Sequence, residues 1–265
     1  MELKSHSLRK SPFNITSDPQ IFFESASHKE ALATLSYGIK EKKGIILITG
    51  EVGTGKTTLC KTLLNRMSSG VKTSLIMNPY FSEVQLLRAI VEDFGLQVKK
   101  KNRLNIINEL NSFLVNISLE GGNAVLIIDE AQGLTNRQLE QIRLLSNLET
   151  SDEKLMQIVL VGQPELEVRL KKFSLRQIRQ RIFVKYVIAP LREDEVRGYV
   201  EFRLQRAGET DITISSASFK LIYEFSQGIP RLVNMLCDRV LLLGFIKEKI
   251  SFKEEDFRVC VEELQ

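Results

Sequence analysis

Short apolar runs alternate, between residue 27 and Pro190, with longer segments whose apolar residues recur at helical spacing. The runs predict five strands, and the helical spacing predicts the helices between them. The strands are predicted at 44–50, 73–77, 124–128, 157–161 and 182–187, and the helices at 27–40, 56–67, 83–94, 104–117, 136–148 and 165–171. Because parallel strands need crossover connections, this alternation predicts a parallel sheet with helices on both faces.

The pattern changes to helices alone after Pro190. Helical spacing predicts four further helices, at 193–207, 215–225, 231–246 and 253–263. We therefore predict three parts: an N-terminal arm over 1–25, an α/β core over 26–190 and a helical part over 191–265. The arm is predicted to be irregular because it is polar and carries Pro12 and Pro19.

Composition narrows the class of protein. With 43% hydrophobic and 26% charged residues, the 265-residue chain is neither disordered nor of low complexity. Three scattered cysteines favour a reducing compartment, and two histidines exclude a multi-histidine metal site. The net charge of +4 permits contact with nucleic acid or an anionic membrane but requires neither. The longest uncharged apolar run, 240–246, is too short to span a bilayer, so a cytoplasmic protein without a transmembrane segment is expected.

The segment GEVGTGKT at 50–57 fits the pattern GxxxxGK[ST] between a predicted strand and a predicted helix. Glycines let the backbone turn its N–H groups toward phosphate oxygens, and the helix start adds a positive end. Lys56 can reach the β- and γ-phosphates, and the Thr57 hydroxyl can ligate Mg²⁺. The candidate nucleotide-binding residues are Gly50, Glu51, Val52, Gly53, Thr54, Gly55, Lys56, Thr57 and Thr58.

Two carboxylates, Asp129 and Glu130, follow the apolar run VLII. Ligands of open α/β sheets bind at the carboxyl ends of strands, so Asp129 is predicted to hold Mg²⁺ together with Thr57. Glu130 is predicted to polarise the attacking water as the catalytic base. The sequence continues as DEAQ, which also occurs in two-domain helicases. The part that follows Pro190 is too short for a second helicase half and is predicted to be helical.

Gln163 ends the next predicted strand and precedes Pro164. If this strand lies between the strand before the phosphate loop and the strand before Asp129, the Gln163 amide can orient the lytic water with one donor and one acceptor. The alternative is a turn residue without a catalytic role.

Arginines outside these motifs form two further candidate sites. Between Lys171 and Lys185 six basic residues occur without an acidic one, which fits an arginine finger, a nucleic-acid groove or a solvated face. Arg181 is the first choice for the finger, followed by Arg179 and Arg176. Arg231 follows Gly-Ile-Pro in the first turn of a helix, where its charge opposes the helix dipole. Contact with the γ-phosphate would explain this position, and an exposed surface arginine is the alternative.

In order along the chain, the motifs GEVGTGKT, LIIDEAQ, VLVGQPEL, QRI and GIPRLVN resemble the AAA+ ATPases of the ExeA/GspA family. The resemblance runs from about Pro12 to the end of the chain. It implies a P-loop αβα sandwich with strand order 5-1-4-3-2 and a helical lid, with ATP and Mg²⁺ as cofactors. It also implies Walker A at Lys56 and Thr57, Walker B at Asp129 and Glu130, sensor 1 at Gln163, the finger at Arg181 and sensor 2 at Arg231.

The resemblance further implies an ATP hydrolase that works at subunit interfaces, as a ring or filament of its own copies. Its cycle would drive assembly of a bacterial secretion, pilus or envelope complex. Longer relatives continue into a membrane span, so we expect a peripheral position at the inner membrane through a membrane-bound partner. Phe22, Phe23 and His28 would lie near the adenine or pack under the arm. The alternatives are an ATP-dependent DNA-binding regulator of the transposition or initiator type, which is not favoured, and a nucleotide-gated scaffold, against which Glu130 argues.

Overall fold

The computed structural model describes residues 11–97, 102–208 and 211–264, which form two compact units. We call one the sheet unit, which contains His28–Gly50 and the described part of Leu59–Ile188. The other, the lid unit, contains Glu51–Thr58 and the described parts of Met1–Ser27 and Ala189–Gln265. The start of the predicted arm, 1–10, lies outside the described residues. The predicted boundaries of arm, core and lid remain predictions.

Five parallel strands form the sheet in the order β2-β3-β4-β1-β5, which confirms the expected 5-1-4-3-2 arrangement. They are β1 (Ile45–Gly50), β2 (Val71–Ile76), β3 (Asn123–Ile128), β4 (Gln157–Gly162) and β5 (Ile182–Ile188). All residues of the central strands β1 and β4 are buried, as their uninterrupted apolar runs require. At the sheet edge, β5 buries its two ends and exposes Phe183 and Val187 on one face.

Seven α-helices accompany this sheet in the described part of the chain, and six of them were predicted. They are α1 (Ala26–Lys40), α2 (Lys56–Arg66), α3 (Glu83–Asp93), α4 (Arg103–Leu119), α5 (Asn136–Leu145), α6 (Pro164–Leu170) and α7 (Arg176–Arg181). The first residues of α1 and α2 are counted with the lid unit. The prediction missed α7 because six residues are too few for a periodic signal and only Ile178 of the helix is buried.

The lid unit contains α8 (Glu193–Ala207), α9 (Ser216–Ser226), α10 (Pro230–Ile246) and α11 (Glu254–Leu264). The prediction that strands stop after Pro190 was wrong in one detail. Two parallel strands of two residues each, β6 (Thr213–Ile214) and β7 (Ser251–Phe252), join the ends of these helices. Gly228 has φ 72°, and a Cβ there would lie 1.9 Å from the Leu191 carbonyl oxygen, so only glycine fits at this position.

A buried arginine fixes part of the arm to the lid helices. Phe13 is 2% exposed in the apolar core of the lid unit. Beside it, Arg203 is 5% exposed and donates from Nε to the Pro12 carbonyl and from Nη2 to the Asn14 carbonyl, both at 2.6 Å. Its Nη1 donates to the Tyr199 hydroxyl at 3.3 Å, and that hydroxyl donates to Asn234 Oδ1 at 2.8 Å. Burial raises the pKa of Tyr199, so the hydroxyl stays protonated.

Replacing Arg203 with methionine should lower the free energy of unfolding of the lid unit by about 2–4 kcal/mol, because the buried Pro12 carbonyl and the partly buried bond to the Asn14 carbonyl lose their donor. Urea unfolding followed by circular dichroism measures the change. Arg258→Met is the matched control, since Arg258 is 63% exposed and pairs with Glu254 four residues earlier on α11. The control should change stability by less than about 0.5 kcal/mol. Equal effects of the two variants would contradict a stabilising role for Arg203.

Candidate nucleotide-binding and hydrolysis site

The loop between β1 and α2 has the backbone of a phosphate-binding loop. Gly53 and Gly55 have φ of 84° and 90°, in the left-handed region that the predicted loop requires. The Thr54 hydroxyl and N–H both donate to the Glu51 carbonyl, at 2.8 and 3.3 Å, which closes the turn. Thr54 is fully buried, whereas Val52 is 49% exposed at the outer side of the loop.

Lys56 begins α2 and is 6% exposed. Its Nζ donates to the Glu51 carbonyl oxygen at 2.7 Å, so the ammonium group is folded back over the loop. The first turn of the 11-residue helix contains no acidic residue. Thr57 and Thr58 follow Lys56 and are half-buried. A helix start, an ammonium group and a glycine-rich turn at one place favour binding of phosphate groups.

Arg231 lies beside this loop, within the lid unit. Its backbone N–H donates to the Gly53 carbonyl at 3.3 Å. A Cβ on Gly53 would lie 2.6 Å from Arg231 Cβ and 3.1 Å from Ile229 Cγ2, so the loop packs directly on the start of α10. The structure thus brings Arg231 to the predicted phosphate loop. Its contact with a γ-phosphate remains a prediction.

The acidic pair follows β3 in the sheet unit. Asp129 is 2% exposed, its N–H donates to the Ile76 carbonyl at 2.8 Å, and its Oδ1 accepts from the Glu130 N–H at 2.8 Å. Glu130 has φ 52°, a left-handed conformation that costs a non-glycine residue energy. A 3₁₀ turn at Ala131–Gly133 follows it. The two carboxylates therefore occupy a defined bend at the carboxyl end of β3.

Gln163 directly follows β4 and precedes α6. β4 lies between β3 and β1, which is the arrangement that the predicted role of Gln163 requires. Gln163 Nε2 donates to Glu130 Oε2 at 3.4 Å, so the structure brings these two predicted residues together. A third residue joins them. Gln132 donates from Nε2 to the same Glu130 oxygen, and its Oε1 accepts from the Gln163 N–H at 3.1 Å.

The sequence analysis missed Gln132 and Arg169. Arg169 donates to the carbonyl oxygens of Gln132 and Leu134, at 3.0 and 2.6 Å, and so holds the turn that follows Glu130. Partial burial lowers the pKa of this guanidinium from its ordinary value. The signal for Gln132 was an amide two residues after Glu130, the predicted catalytic base, in the segment DEAQ. No pattern in the sequence pointed to Arg169.

The basic cluster lies elsewhere in the sheet unit. Arg181 ends α7 directly before β5, and β5 begins beside Ile45 at the start of β1. The six residues of β1 span about 20 Å, so Arg181 lies roughly that far from the strand end that leads into the phosphate loop. Arg176 stacks on Phe173 with 4.0 Å to the ring centroid, and Arg179 donates to the Lys171 carbonyl at 3.2 Å. The structure therefore places Arg181 at the opposite end of the sheet from Glu130 and Gln163. Among the described residues, neither Arg176 nor Arg179 forms a hydrogen bond or ion pair with that pair.

Phe23 has a packing role within the lid unit. Its ring lies 5.6 Å, centroid to centroid, from both Tyr199 and Phe202 of α8. This contact favours the packing interpretation of Phe23 over an adenine contact. Phe22 is partly buried, and His28, 4% exposed, belongs to α1. Their predicted approach to an adenine remains a prediction.

A search of the described residues finds no helix long and apolar enough to cross a bilayer.

Sequence comparison identifies relatives of the chain. The sequence profile of the AAA domain matches residues 39–170. Over 259 residues the chain is 40% identical to the General secretion pathway protein A of Aeromonas hydrophila, an alignment that covers 97% of this chain and 47% of that protein. The chain therefore spans about half the length of this curated relative.

Solved structures share the fold at low sequence identity to the chain. The ORC2 protein of Aeropyrum pernix in its ADPNP–ADP complexes has a TM-score of 0.73 at 17% identity, covering 97% of this chain and 72% of that one. The ORC1 protein of the same organism in complex with DNA has a TM-score of 0.69 at 17% identity, covering 100% of this chain and 71% of that one. The RuvB Holliday junction branch migration motor of Thermotoga maritima has a TM-score of 0.61 at 18% identity, covering 92% of this chain and 73% of that one.

Sheet order, phosphate loop and domain match together define the class: the chain is an AAA protein with the P-loop fold. Within this class it is similar to the ExeA/GspA proteins, since 97% of the chain aligns with General secretion pathway protein A at 40% identity. This confirms the resemblance that the sequence motifs predicted.

Proposed function

We propose that this protein binds and hydrolyses ATP and uses the cycle to drive assembly of a larger complex. The observation that supports this best is the phosphate loop, in which buried Lys56 begins a helix behind two left-handed glycines. In this proposal the backbone N–H groups of 50–58 and the Lys56 ammonium group bind the phosphates of ATP. Arg231, packed on the same loop, contacts the γ-phosphate.

The donor set fits a magnesium ion. Thr57 supplies a hydroxyl as the second residue of α2, and Asp129 supplies a carboxylate after β3. Mg²⁺ prefers such oxygen ligands and binds through one or two carboxylates together with substrate phosphates. The carboxyl ends of β1 and β3 lie at the same edge of the parallel sheet, with the phosphate loop following β1 directly. When bound, the ion would neutralise charge on the phosphate oxygens.

Hydrolysis needs a water molecule oriented and polarised for attack on the γ-phosphorus. Glu130 accepts a proton from the water as general base while the water oxygen bonds to the γ-phosphorus. The bond between the γ-phosphorus and the β–γ bridging oxygen breaks, and ADP leaves with that oxygen. Gln163 orients the water, and its side chain already lies at hydrogen-bond distance from Glu130. Lys56 and Arg231 stabilise the charge that spreads over the γ-phosphoryl oxygens and the leaving group.

The position of Arg181 supports hydrolysis at an interface between subunits. Because Arg181 lies at the opposite end of the sheet from the end of β1, it can stabilise the transition state only at the nucleotide of a neighbouring copy. We therefore propose a ring or filament of identical subunits in which each site is completed in trans. The similarity to General secretion pathway protein A supports a role in bacterial secretion, pilus or envelope machinery, through a membrane-bound partner.

A comparison of ATP binding and ATP hydrolysis between wild type and Lys56→Ala tests the proposal. Loss of a charge-assisted contact to phosphate should weaken ATP binding about 10- to 100-fold and abolish hydrolysis. Calorimetry measures the affinity, and phosphate release measures turnover across a range of protein concentrations. Lys220→Ala is the control, because Lys220 is 73% exposed on α9. This substitution should leave the ATP affinity and the turnover unchanged. Wild-type protein that binds no ATP would overturn the proposal.

A second candidate function is ATP-dependent DNA binding, which the basic cluster favours. Phe173 is 77% exposed and stacked by Arg176, next to exposed Lys171 and Lys172. Exposed rings flanked by cations contact bases and phosphates of nucleic acids. Double-stranded DNA in the same turnover assay separates the two functions. Stimulation that falls steeply with salt would favour this candidate over envelope assembly.

A further inference from the structure

The Glu130 carboxylate is held on one side by two amide groups. Gln132 Nε2 and Gln163 Nε2 both donate to Glu130 Oε2, the latter at 3.4 Å. Neither bond uses Oε1 of Glu130. We propose that Gln132 is a positioning residue, which fixes the catalytic carboxylate so that Oε1 is directed to the lytic water. This inference rests on the proposed ATP hydrolysis and assigns a role to a residue outside the predicted catalytic set.

Three contacts fix Gln132 in turn. Its Oε1 accepts from the Gln163 N–H at 3.1 Å, which selects the orientation with Nε2 toward Glu130. A Cβ on Gly162 would lie 3.0 Å from this Oε1 and 2.9 Å from Leu166 Cδ2, so the glycine leaves the space that the amide occupies. Arg169 holds the backbone by donating to the Gln132 carbonyl at 3.0 Å. The amide is thus a fixed bridge between the ends of β3 and β4.

The Glu130 carboxylate needs side-chain contacts to hold it in position, because the backbone conformation of Glu130 does not determine where the carboxylate lies. Glu130 occupies a left-handed bend, and its side chain has rotatable bonds before the carboxylate. A general base acts only within hydrogen-bond distance of the proton that it accepts. A displacement of about 1 Å at a catalytic group can cost about 10²-fold in rate. Loss of the Gln132 donor should therefore reduce turnover and leave ATP binding intact.

The first test compares Gln132→Leu with wild type and with Gln205→Leu, a control at an exposed glutamine of α8. Leucine keeps similar volume and removes both polar atoms of the amide. We expect kcat to fall about 10- to 100-fold, with KM and the ATP dissociation constant within about threefold of wild type. Gln205→Leu should match wild type. Gly162→Ala, which displaces the amide without removing it, should reduce kcat in the same direction.

A double-mutant cycle separates positioning from a general structural effect. If Gln132 acts through the Glu130 carboxylate, Gln132→Leu should cost no further activity in a Glu130→Gln background. A loss of equal size in both backgrounds would show that Gln132 supports the fold instead, and would overturn the inference. Wild-type kcat in Gln132→Leu would also overturn it. Failure of the proposed function is a different result, since wild type itself would then release no phosphate.

Discussion

Glu130→Gln is expected to lower ATP turnover about 10²- to 10⁴-fold while the affinity for ATP stays within about threefold of wild type. Glutamine has the shape of glutamate but cannot accept the proton of the attacking water. The loop residues that are proposed to bind phosphate, above all Lys56, are unchanged by this substitution. Binding should therefore persist without hydrolysis, and the variant should accumulate with ATP bound.

Phosphate release under saturating ATP and calorimetric titration of the same protein measure the two quantities. Glu92→Gln is the matched control, because Glu92 is 51% exposed on α3 and pairs with Arg88. The control should keep wild-type turnover. A Glu130→Gln variant that still hydrolyses ATP at the wild-type rate would remove Glu130 from the catalytic role and leave the nucleotide-gated scaffold as the better hypothesis.

Long periodic segments explain why the fold could be predicted from the sequence. The uninterrupted apolar runs of β1 and β4 appear only where both faces of a strand are covered, and both strands are fully buried in the sheet centre. α8 begins and ends at the predicted residues. By contrast, β6 and β7 contain two residues each, and their pairing depends on the packing of the helices around them. Such elements leave no periodic signal.

The candidate site likewise contains residues that the sequence could predict and contacts that it could not. The positions of Lys56 at a helix start and of Asp129 after a strand could be predicted, because phosphate and metal chemistry restrict residue types at fixed spacing next to strand ends. The bridge through Gln132 could not, because it depends on β3 and β4 being neighbours and on the space that Gly162, without a Cβ, leaves for the amide. The packing of Arg231 on Gly53 likewise joins residues that are far apart in sequence. Contacts of this kind arise from tertiary packing and carry no local pattern.

The choice of Arg181 among the basic residues also gains a structural argument. The guanidinium groups of Arg176 and Arg179 donate to the carbonyl oxygens of Phe173 and Lys171. Arg181 is exposed, and its guanidinium group donates no hydrogen bond within the part of the chain that the structure describes. A finger must leave its own subunit to reach a phosphate. Of the three arginines, Arg181 can do so without breaking a hydrogen bond.

Arg181→Ala is expected to reduce turnover about 10³- to 10⁵-fold at every protein concentration, because it removes a cation that stabilises the transition state in trans. ATP binding to isolated subunits should not change. Arg176→Ala and Arg179→Ala are the comparison variants, and each should retain most of the activity. Wild-type specific activity should rise with protein concentration as the interfaces form.

Mixing two inactive proteins gives the sharpest test of a shared site. Subunits with Glu130→Gln retain Arg181, and subunits with Arg181→Ala retain Glu130. If the finger acts across an interface, mixed assemblies contain sites with an intact Glu130 and a finger from the neighbour, so hydrolysis should return on mixing. If Arg181 served its own subunit, neither protein could complete the other and the mixture would stay inactive. Recovery therefore requires both an assembly and a catalytic arginine that acts between its subunits.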